Sequence, residues 1–521
     1  MSVMTDVYQI QPSATFGLSE SEIAIFNELL TVWQMKLPGN IENEEYYEQR
    51  NPLKDLGIAI PPSCKDVQTN VGWATKAVDM LAERSVFDGF TFAGKENEEL
   101  QRVLQENDFK QTYSEAVISE LVHSCSFITV SAGSEDEPKV ILNSYSATEA
   151  AGVWDNRKKR LKYGFAVVDA TDPNATGTLE PTEVNLYLDY ATIVCTRDIK
   201  TNRWYAKRMN HSQGRPLMEV LRYHPTNNRK MGKSRISKTV KAIVDSAKRA
   251  LLRAEISSEF FTSPQKYLLG VDPDLFGQEI TDAEEADDLA EAKAIYNAEQ
   301  AKMKAYLGAI MAVTPNENGD IPQFGQLTQM SMQPHSDYIR ALANLLAGET
   351  NIPISSLGVV ADSNPQSYEA IKATTEPLIV TAQSLNRENR NALVNIGRLA
   401  LAIINGKTIS ELTDEERAID VHWGDPALPS IGSMSNAMVQ QLAMFPWMVD
   451  SELPLERLGY TEEEIARLNE DKRKFNAKQL VNQVKLNATD NEPTEPVREN
   501  AGGVETAGSG ERAELSPVEP E

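Results

Sequence analysis

Histidine and cysteine are scarce in this chain, five and three in 521 residues. Cys64, Cys125 and Cys195 are odd in number and far apart, which argues against a disulfide framework and for synthesis in a reducing compartment. The five histidines (His123, His211, His224, His335 and His422) are scattered. None stands in an HExxH arrangement or at zinc-site spacing from a cysteine, and His123, two residues before Cys125, reads as a packing pair. Long hydrophobic runs are missing as well. The most apolar stretch, 393–404, is broken by Asn395, Gly397 and Arg398, short of the roughly 20 residues a bilayer span needs, so no membrane partner is expected. Met1-Ser2-Val3-Met4-Thr5-Asp6 lacks a basic region followed by an apolar one, and no secretory signal is expected. No GxSxG occurs. Gly232-Lys233-Ser234 ends like a phosphate-binding loop, but the glycine required five residues upstream is Asn227, and Tyr223-His224-Pro225 is no buried strand leading in. The carboxylates fall on helix faces where solvation explains them. No catalytic residue, cofactor or metal is expected.

The chain is long enough for three or four domains or one large discontinuous fold, with an ordinary 41% hydrophobic content. Its net charge of −25 is the wrong sign for a protein that reads DNA sequence. Nine acidic residues against Arg498 and Arg512 in 488–521 account for part of that, and the body remains acidic. Such a protein handles DNA by repelling it, guiding it, or touching it through local basic groups.

Residues 1–20 read as a polar arm. Ile23, Ile25, Phe26, Leu29, Leu30 and Trp33 predict an amphipathic helix over 21–34. After Pro61-Pro62 a second helix runs through Trp73, Val78, Leu81 and Ala82 and ends at Asp88-Gly89-Phe90; 97–122 is helical again. Residues 126–130 predict a strand, and 140–208 a small antiparallel sheet that includes a hairpin over 152–168 with a basic tip at Arg157-Lys158-Lys159-Arg160. Ile236, Val240, Ile243, Val244, Ala247, Leu251 and Ala254 make one stripe of a helix over 235–261, about 40 Å long, stopped by Ser263-Pro264. Residues 229–253 carry nine cations against Asp245 alone; this is either a solvated face or a surface for nucleic acid or an acidic partner. Thr281-Asp282-Ala283-Glu284 opens a helix to Leu307, and 309–313 and 323–329 read as two short strands, so an α/β insertion separates the 235–261 helix from one at 336–348. Apolar positions keep helical period from Pro365 to Ile404, with a kink expected near 374–376 because Pro377 removes a donor and crowds the preceding turn. Residues 418–426 read as a strand rejoining a sheet, and 434–445, 452–458 and 461–480 as three helices. Beyond Asn487 disorder is expected.

Several local segments carry a resemblance. They are Tyr46-Tyr47 followed by Pro52-Leu53, Trp73 through Phe90, Gly232-Lys233-Ser234-Arg235-Ile236, Ser263-Pro264-Gln265-Lys266-Tyr267-Leu268-Leu269, and Thr350-Asn351-Ile352-Pro353-Ile354-Ser355-Ser356-Leu357-Gly358. In this order, over about 20–480, the chain resembles the portal proteins of tailed bacteriophages, in particular those of long-tailed phages. The resemblance implies an α+β portal fold with a discontinuous wing, a two-helix stem, an inserted α/β clip, a long kinked tunnel helix and a C-terminal helical crown. Mapped onto this sequence, the parts are an N-terminal arm (1–20), the first part of the wing (21–228), stem helix 1 (229–262), clip (263–334), stem helix 2 (335–358) and tunnel loop (359–367). The tunnel helix and second part of the wing (368–430), crown (431–486) and a disordered acidic tail (487–521) follow.

The function so implied is that of a ring subunit at one capsid vertex, usually twelve per ring and found in the virion after assembly in the bacterial cytoplasm. Double-stranded DNA would pass through it without sequence specificity. Expected partners are further copies of the chain, the terminase large subunit, the major capsid and scaffolding proteins, and head–tail connectors. The channel-lining loop would be Val360, Ala361, Asp362, Ser363, Asn364, Pro365 and Gln366, which lacks a cation, and the kink would sit at Pro377. Lys233, Arg235, Lys238, Lys241, Lys248 and Arg249 would be stem cations available to DNA or capsid. Two alternatives stand beside this: another head–tail adaptor ring, which would not need a long kinked helix after a small loop, and a cytosolic enzyme, monomeric or a small closed oligomer.

Overall fold

The computed structural model describes residues 10–53, 69–92, 97–171, 181–262, 266–269, 323–326, 331–358, 368–427, 431–452, 454–455, 458, 460 and 462–489. The chain divides into two compact units, Met1–Ala427 and Leu428–Glu521.

In the first unit, helix α1 (Glu20–Tyr47) opens on a capping box: Ser19 Oγ accepts from the Glu22 amide, and the Glu22 carboxylate accepts from the Ser19 amide at 2.8 Å. The helix runs 13 residues beyond the expected end at Gln34, straight through Pro38. Contacts downstream hold it: Asn40 donates to the Ala147 carbonyl (3.0 Å) and Asn43 to that of Val122 (3.0 Å), while the Tyr46 ring is buried. Between Phe26 and Leu37 it lays Phe26, Leu29, Leu30, Trp33 and Leu37 on a six-stranded sheet, where full burial of each such side chain contributes about 1.5–3 kcal/mol.

That sheet has the order β1 (Thr15–Phe16), β9 (Arg203–Asn210), β8 (Ala191–Asp198), β7 (Pro181–Tyr187), β6 (Arg160–Ala170), β5 (Ala150–Asp155). It is antiparallel except for β1, which pairs parallel with β9. Tyr163, Phe165 and Val167 alternate inward, as do Val184 and Leu186, and Ile193 and Cys195, which is the period of two that marks a strand with one face on a core.

A second core gathers around a three-stranded antiparallel sheet, β10 (Met218–Arg222), β3 (Cys125–Ala132) and β4 (Val140–Ser146). Helices α2 (Trp73–Ala82), α3 (Glu98–Glu106) and α4 (Phe109–His123) pack with it, together with α5 (Lys238–Thr262), α6 (Gln333–Thr350) and α7 (Tyr368–Ile404). Helix α2 stops at Ala82, not at 88–90, because Phe87–Phe92 forms strand β2. Its antiparallel partner is β13 (Ile419–Trp423), more than 300 residues away, with Val421 opposite Phe90. The return strand therefore makes a two-stranded sheet of its own, joined by an aromatic cluster in which Phe87 meets Phe90 at 5.1 Å and Phe109 at 5.2 Å. Gly397 of α7 lets this sheet approach, since a Cβ there would lie 2.5 Å from Ile419 Cδ1. A single turn, α8 (Asp414–Arg417), precedes β13.

Of the expected insertion, β11 (Lys266–Leu269) and β12 (Gln323–Gln326) are described, and they pair with each other. The strand expected at 309–313 and the helix expected at 281–307 lie outside the described residues. In the second unit, α9 (Ile431–Met444) and α10 (Glu462–Thr489) accompany a 3₁₀ turn at Pro446–Asp450, with Met438, Met448 and Ile465 buried. Every residue of α10 from Glu470 to Gln479 is exposed. Among the described residues no helix is long and apolar enough to cross a membrane, and no group of three or more His, Cys, Asp or Glu side chains is placed to hold a metal. Cys125 and Cys195 are buried free thiols.

Candidate functional site

The expected site falls on α5, α6 and α7, whose junction with the rest of the first unit is built from the segment just before α5. Gly232 has φ +77°, and a Cβ there would meet the Tyr223 and Ser124 carbonyl oxygens at 2.5 and 2.6 Å, so only glycine fits. Around it, Lys233 N donates to Tyr223 O (2.9 Å), Ser234 Oγ to Val122 O (2.6 Å) and Arg235 N to Leu121 O (2.8 Å). The Gly-Lys-Ser segment thus clasps carbonyls at the C-terminus of α4, which a helix leaves unpaired. Carbonyl oxygens lining the glycine repel a phosphate, and the loop is no nucleotide cradle.

Arg235 is 7% exposed, and its guanidinium joins three elements. Nε donates to Ala77 O in α2, Nη1 to Tyr223 Oη (2.9 Å), and Nη2 to Thr350 O at the end of α6 (2.6 Å), where a cation also complements the helix dipole. At the far end of the pair Ser257 and His335 lie 3.3 Å apart, so α5 and α6 run antiparallel. Two turns into α5, Tyr46 Oη donates to both oxygens of buried Asp245 (2.8 and 2.9 Å), and about one turn further on Lys248 Nζ donates to the Asn51 carbonyl (2.6 Å). Burial pushes the Lys248 ammonium below its ordinary pKa, with Asp245 opposing the shift.

The six stem cations therefore separate. Arg235 and Lys248 differ from the expectation of an available surface, because their head groups are spent on main-chain carbonyls inside the fold. Lys241 pairs with Glu42 at 2.7 Å and Arg249 donates to Ser246 Oγ at 3.0 Å, both partly exposed; Lys233 and Lys238 are exposed. At the hairpin tip, Lys158 and Arg160 face Asp189 at 3.6 and 3.5 Å.

From α6 the chain turns at Asn351 (φ +57°), whose side chain donates to Thr381 Oγ1 of α7 at 3.3 Å, and Trp73 Nε1 donates to Leu357 O at 3.3 Å. The expected loop, Val360, Ala361, Asp362, Ser363, Asn364, Pro365 and Gln366, lies outside the described residues. Pro377 is exposed and stands inside a helix assigned without interruption over 37 residues, about 55 Å. Beyond it, α7 is fastened by polar rungs. Ser85 Oγ donates to Asn386 Oδ1 (2.6 Å), the His224 amide to Glu388 (2.8 Å), Asn389 to Glu120 (2.7 Å), Arg390 to both Asp420 oxygens (2.7 Å each) and Asn395 to Glu219 (3.4 Å).

Glu120 is fully buried. Burial drives its carboxyl well above the ordinary range, opposed by the Asn389 bond. Burial also lowers His123 to about 4 and raises the Cys125 thiol to about 12. The sequence reading missed Glu120, Asn386, Asn389 and His224. Asn386 and Asn389 were detectable as amides interrupting the apolar stripe of Leu385 and Leu393.

The model of the family described as "Phage portal protein, SPP1 Gp6-like" matches residues 27–478. By class this is a structural protein of the bacteriophage virion. The chain belongs to the SPP1 Gp6-like portal family. It is 24% identical over 477 residues to the portal protein of Mycobacterium phage L5, covering 87% of this chain and 90% of that one. To the portal protein of Mycobacterium phage D29 it is 23% identical over 460 residues, covering 85% and 88%. Among solved structures, a chain in the virion of a native gene transfer agent particle matches with TM-score 0.40 and 14% identity over 78% of this chain and 89% of that one. A chain in the neck of a native particle, computed with C12 symmetry, gives TM-score 0.38 and 13% identity over 75% and 90%.

Proposed function

We propose that the chain is the ring-forming subunit of the portal at one capsid vertex, twelve copies enclosing the channel through which double-stranded DNA is packaged and ejected. Family membership over residues 27–478 carries this reading. In it, 21–228 and the second part of 368–430 form the wing, 229–262 and 335–358 the stem, 263–334 the clip and 431–486 the crown. The loop 359–367 borders the bore, and Pro377 sets the bend of the helix behind it. The clip is the platform for the terminase large subunit and later for head–tail connectors; capsid and scaffolding proteins meet the wing. The exposed Lys233 and Lys238 and the partly exposed Lys241 and Arg249 are the stem cations left for DNA or capsid. Its work is positional rather than catalytic, done in the virion after assembly in the host cytoplasm.

Acidity supports the reading, because twelve copies carry roughly −300 and a like-charged bore lets phosphates slide past without sticking. Mass measurement with negative-stain imaging of the purified chain tests it. A ring of twelve or thirteen with an axial hole is expected. A monomer or dimer at micromolar concentration, even with procapsid proteins supplied, would sink it.

A further inference from the structure

The second unit inverts the usual placement of apolar side chains. Among the described residues it buries Met438, Met448 and Ile465. Val439, Met444, Phe445, Trp447 and Val449 stand exposed within one short stretch of α9 and the 3₁₀ turn after it, Met444 at 75% and Trp447 at 71%. Phe445 and Trp447 meet edge to face at 6.3 Å, so the exposed rings make one surface. No charged residue occurs from Pro426 to Val449, in a chain that is 24% charged. Scattered apolar residues on a surface are ordinary, but a contiguous uncharged patch of this kind marks a contact.

Helix α10 supplies a second open surface. Ile465 is buried and Asn469 donates to Glu452 Oε1 at 2.6 Å, which fixes the first two turns to the unit. From Glu470 to Gln479 every side chain is exposed. Leu468 and Phe475, two turns apart and so on one face, are both open to solvent, Phe475 at 60%. An exposed ion pair such as Lys474 with Glu470 (2.9 Å) adds little to so bare a helix, because helices in proteins are stabilised mostly by packing an apolar face.

We propose, resting on the ring reading of the chain, that the α10 stripe of Leu468 and Phe475 in one copy seats on the 439–449 surface of the next. Both surfaces are open within one copy, so neither covers the other there. They also differ from each other, so a copy that gives its stripe to one neighbour keeps its patch for another. That is the head-to-tail contact by which a ring closes, whereas a self-complementary patch stops at a dimer. The area suffices. At about 150–250 Å² per large aromatic, and somewhat less for Met, Val and Leu, the seven exposed side chains leave on the order of 700 Å² open. A standard interface buries roughly 800 Å² per partner.

The full chain with a photoreactive benzophenone amino acid in place of Trp447, half of it labelled with nitrogen-15, tests this after assembly and irradiation. Position 447 is expected to be joined to peptides of 462–489, in labelled-to-unlabelled pairs as often as in like pairs. Cross-links confined to like-labelled peptides would put the cover within one copy and overturn the proposal. Trp447→Ser with Val449→Ser, and separately Leu468→Ser with Phe475→Ser, are expected to raise the concentration of half-assembly at least about tenfold. All four side chains are exposed, so the single copy keeps its fold, and Ile199→Ser, 69% exposed between β8 and β9, leaves assembly unchanged. Rings that form as readily in both double variants overturn the proposal and leave the portal reading standing, while a parent chain that stays monomeric overturns both. A Trp447 that acrylamide still quenches in the ring, and that is shielded only when capsid protein is added, gives the patch to that partner and overturns the copy-to-copy contact.

Discussion

Two buried residues, Arg235 and Glu120, bond the long helices to the rest of the first unit. Arg235 satisfies the Thr350 carbonyl at the end of α6 and bonds Tyr223 and Ala77, so Arg235→Met removes three charged hydrogen bonds and leaves a helix-end carbonyl unpaired. A loss on the order of 3 kcal/mol is expected, read as a fall in the urea midpoint at unchanged slope. Glu120 carries a pH signature. Its folded pKa lies above the ordinary 4.5, so the folded state holds a proton that the unfolded chain releases, and stability falls as pH climbs from 4.5 towards the folded pKa. His123 acts oppositely: lowered from 6.5 to about 4, it withdraws stability as pH falls through that interval. Glu120→Gln retains an acceptor for Asn389 and adds a donor near Asn389 Oδ1, which is unpaired among the described residues. The variant should be at least as stable as the parent at pH 8.5 and lose the alkaline slope while keeping the acid one. Melting curves from pH 4 to 9 that superimpose on the parent's would refute this.

At the scale of elements, Pro377 and the return strand show what a local pattern discloses. The 37 residues of α7 were readable from the spacing of Leu378, Ala382, Leu385, Leu393 and Ile396, since a helix writes its buried face every three or four positions. Strand β2 was not readable, because Phe87–Phe92 becomes a strand through β13 on the other side of the chain, and Pro38 failed to end α1 because Asn40, Asn43 and Tyr46 are held by distant partners. The same limit applied to the stem cations: periodicity placed Arg235 and Lys248 on a basic helix but gave no sign of the carbonyls that receive them. Pro377 lies ten residues into α7 on its exposed side, so Pro377→Ala restores a helical donor without disturbing a core. Folding should be preserved, with a thermal midpoint equal to or above the parent's. Packaged DNA length should fall, if the bend sets the bore, and unchanged packaging would remove that role from the proline.

For the whole molecule, order proved more informative than any single motif. Gly232-Lys233-Ser234 ends like a nucleotide loop but lacks the earlier glycine at Asn227; placed after a small sheet and before two antiparallel helices, it is a clasp on α4. The division at Ala427 makes a further statement at this scale. Both cores, all three sheets with three or more strands or an aromatic seam, and the α5–α6–α7 assembly lie before it. A chain ending at Ala427 is expected to fold by itself with one cooperative thermal transition and strong helical circular dichroism. A non-cooperative melt would show that the first unit depends on the second.

The rungs along α7 also have a mechanical meaning. Asn386, Glu388, Asn389, Arg390 and Asn395 tie the helix to five different points of the first unit, so a thrust along the helix axis is shared among them and each carries a fraction of the force. A pull that lifts one end of the helix loads them one after another, like the teeth of a zip. The fastened part of α7 is therefore stiff as a strut and weak against peeling, and the mostly exposed turn from Ala373 to Pro377 acts as the lever arm through which a peeling force would enter.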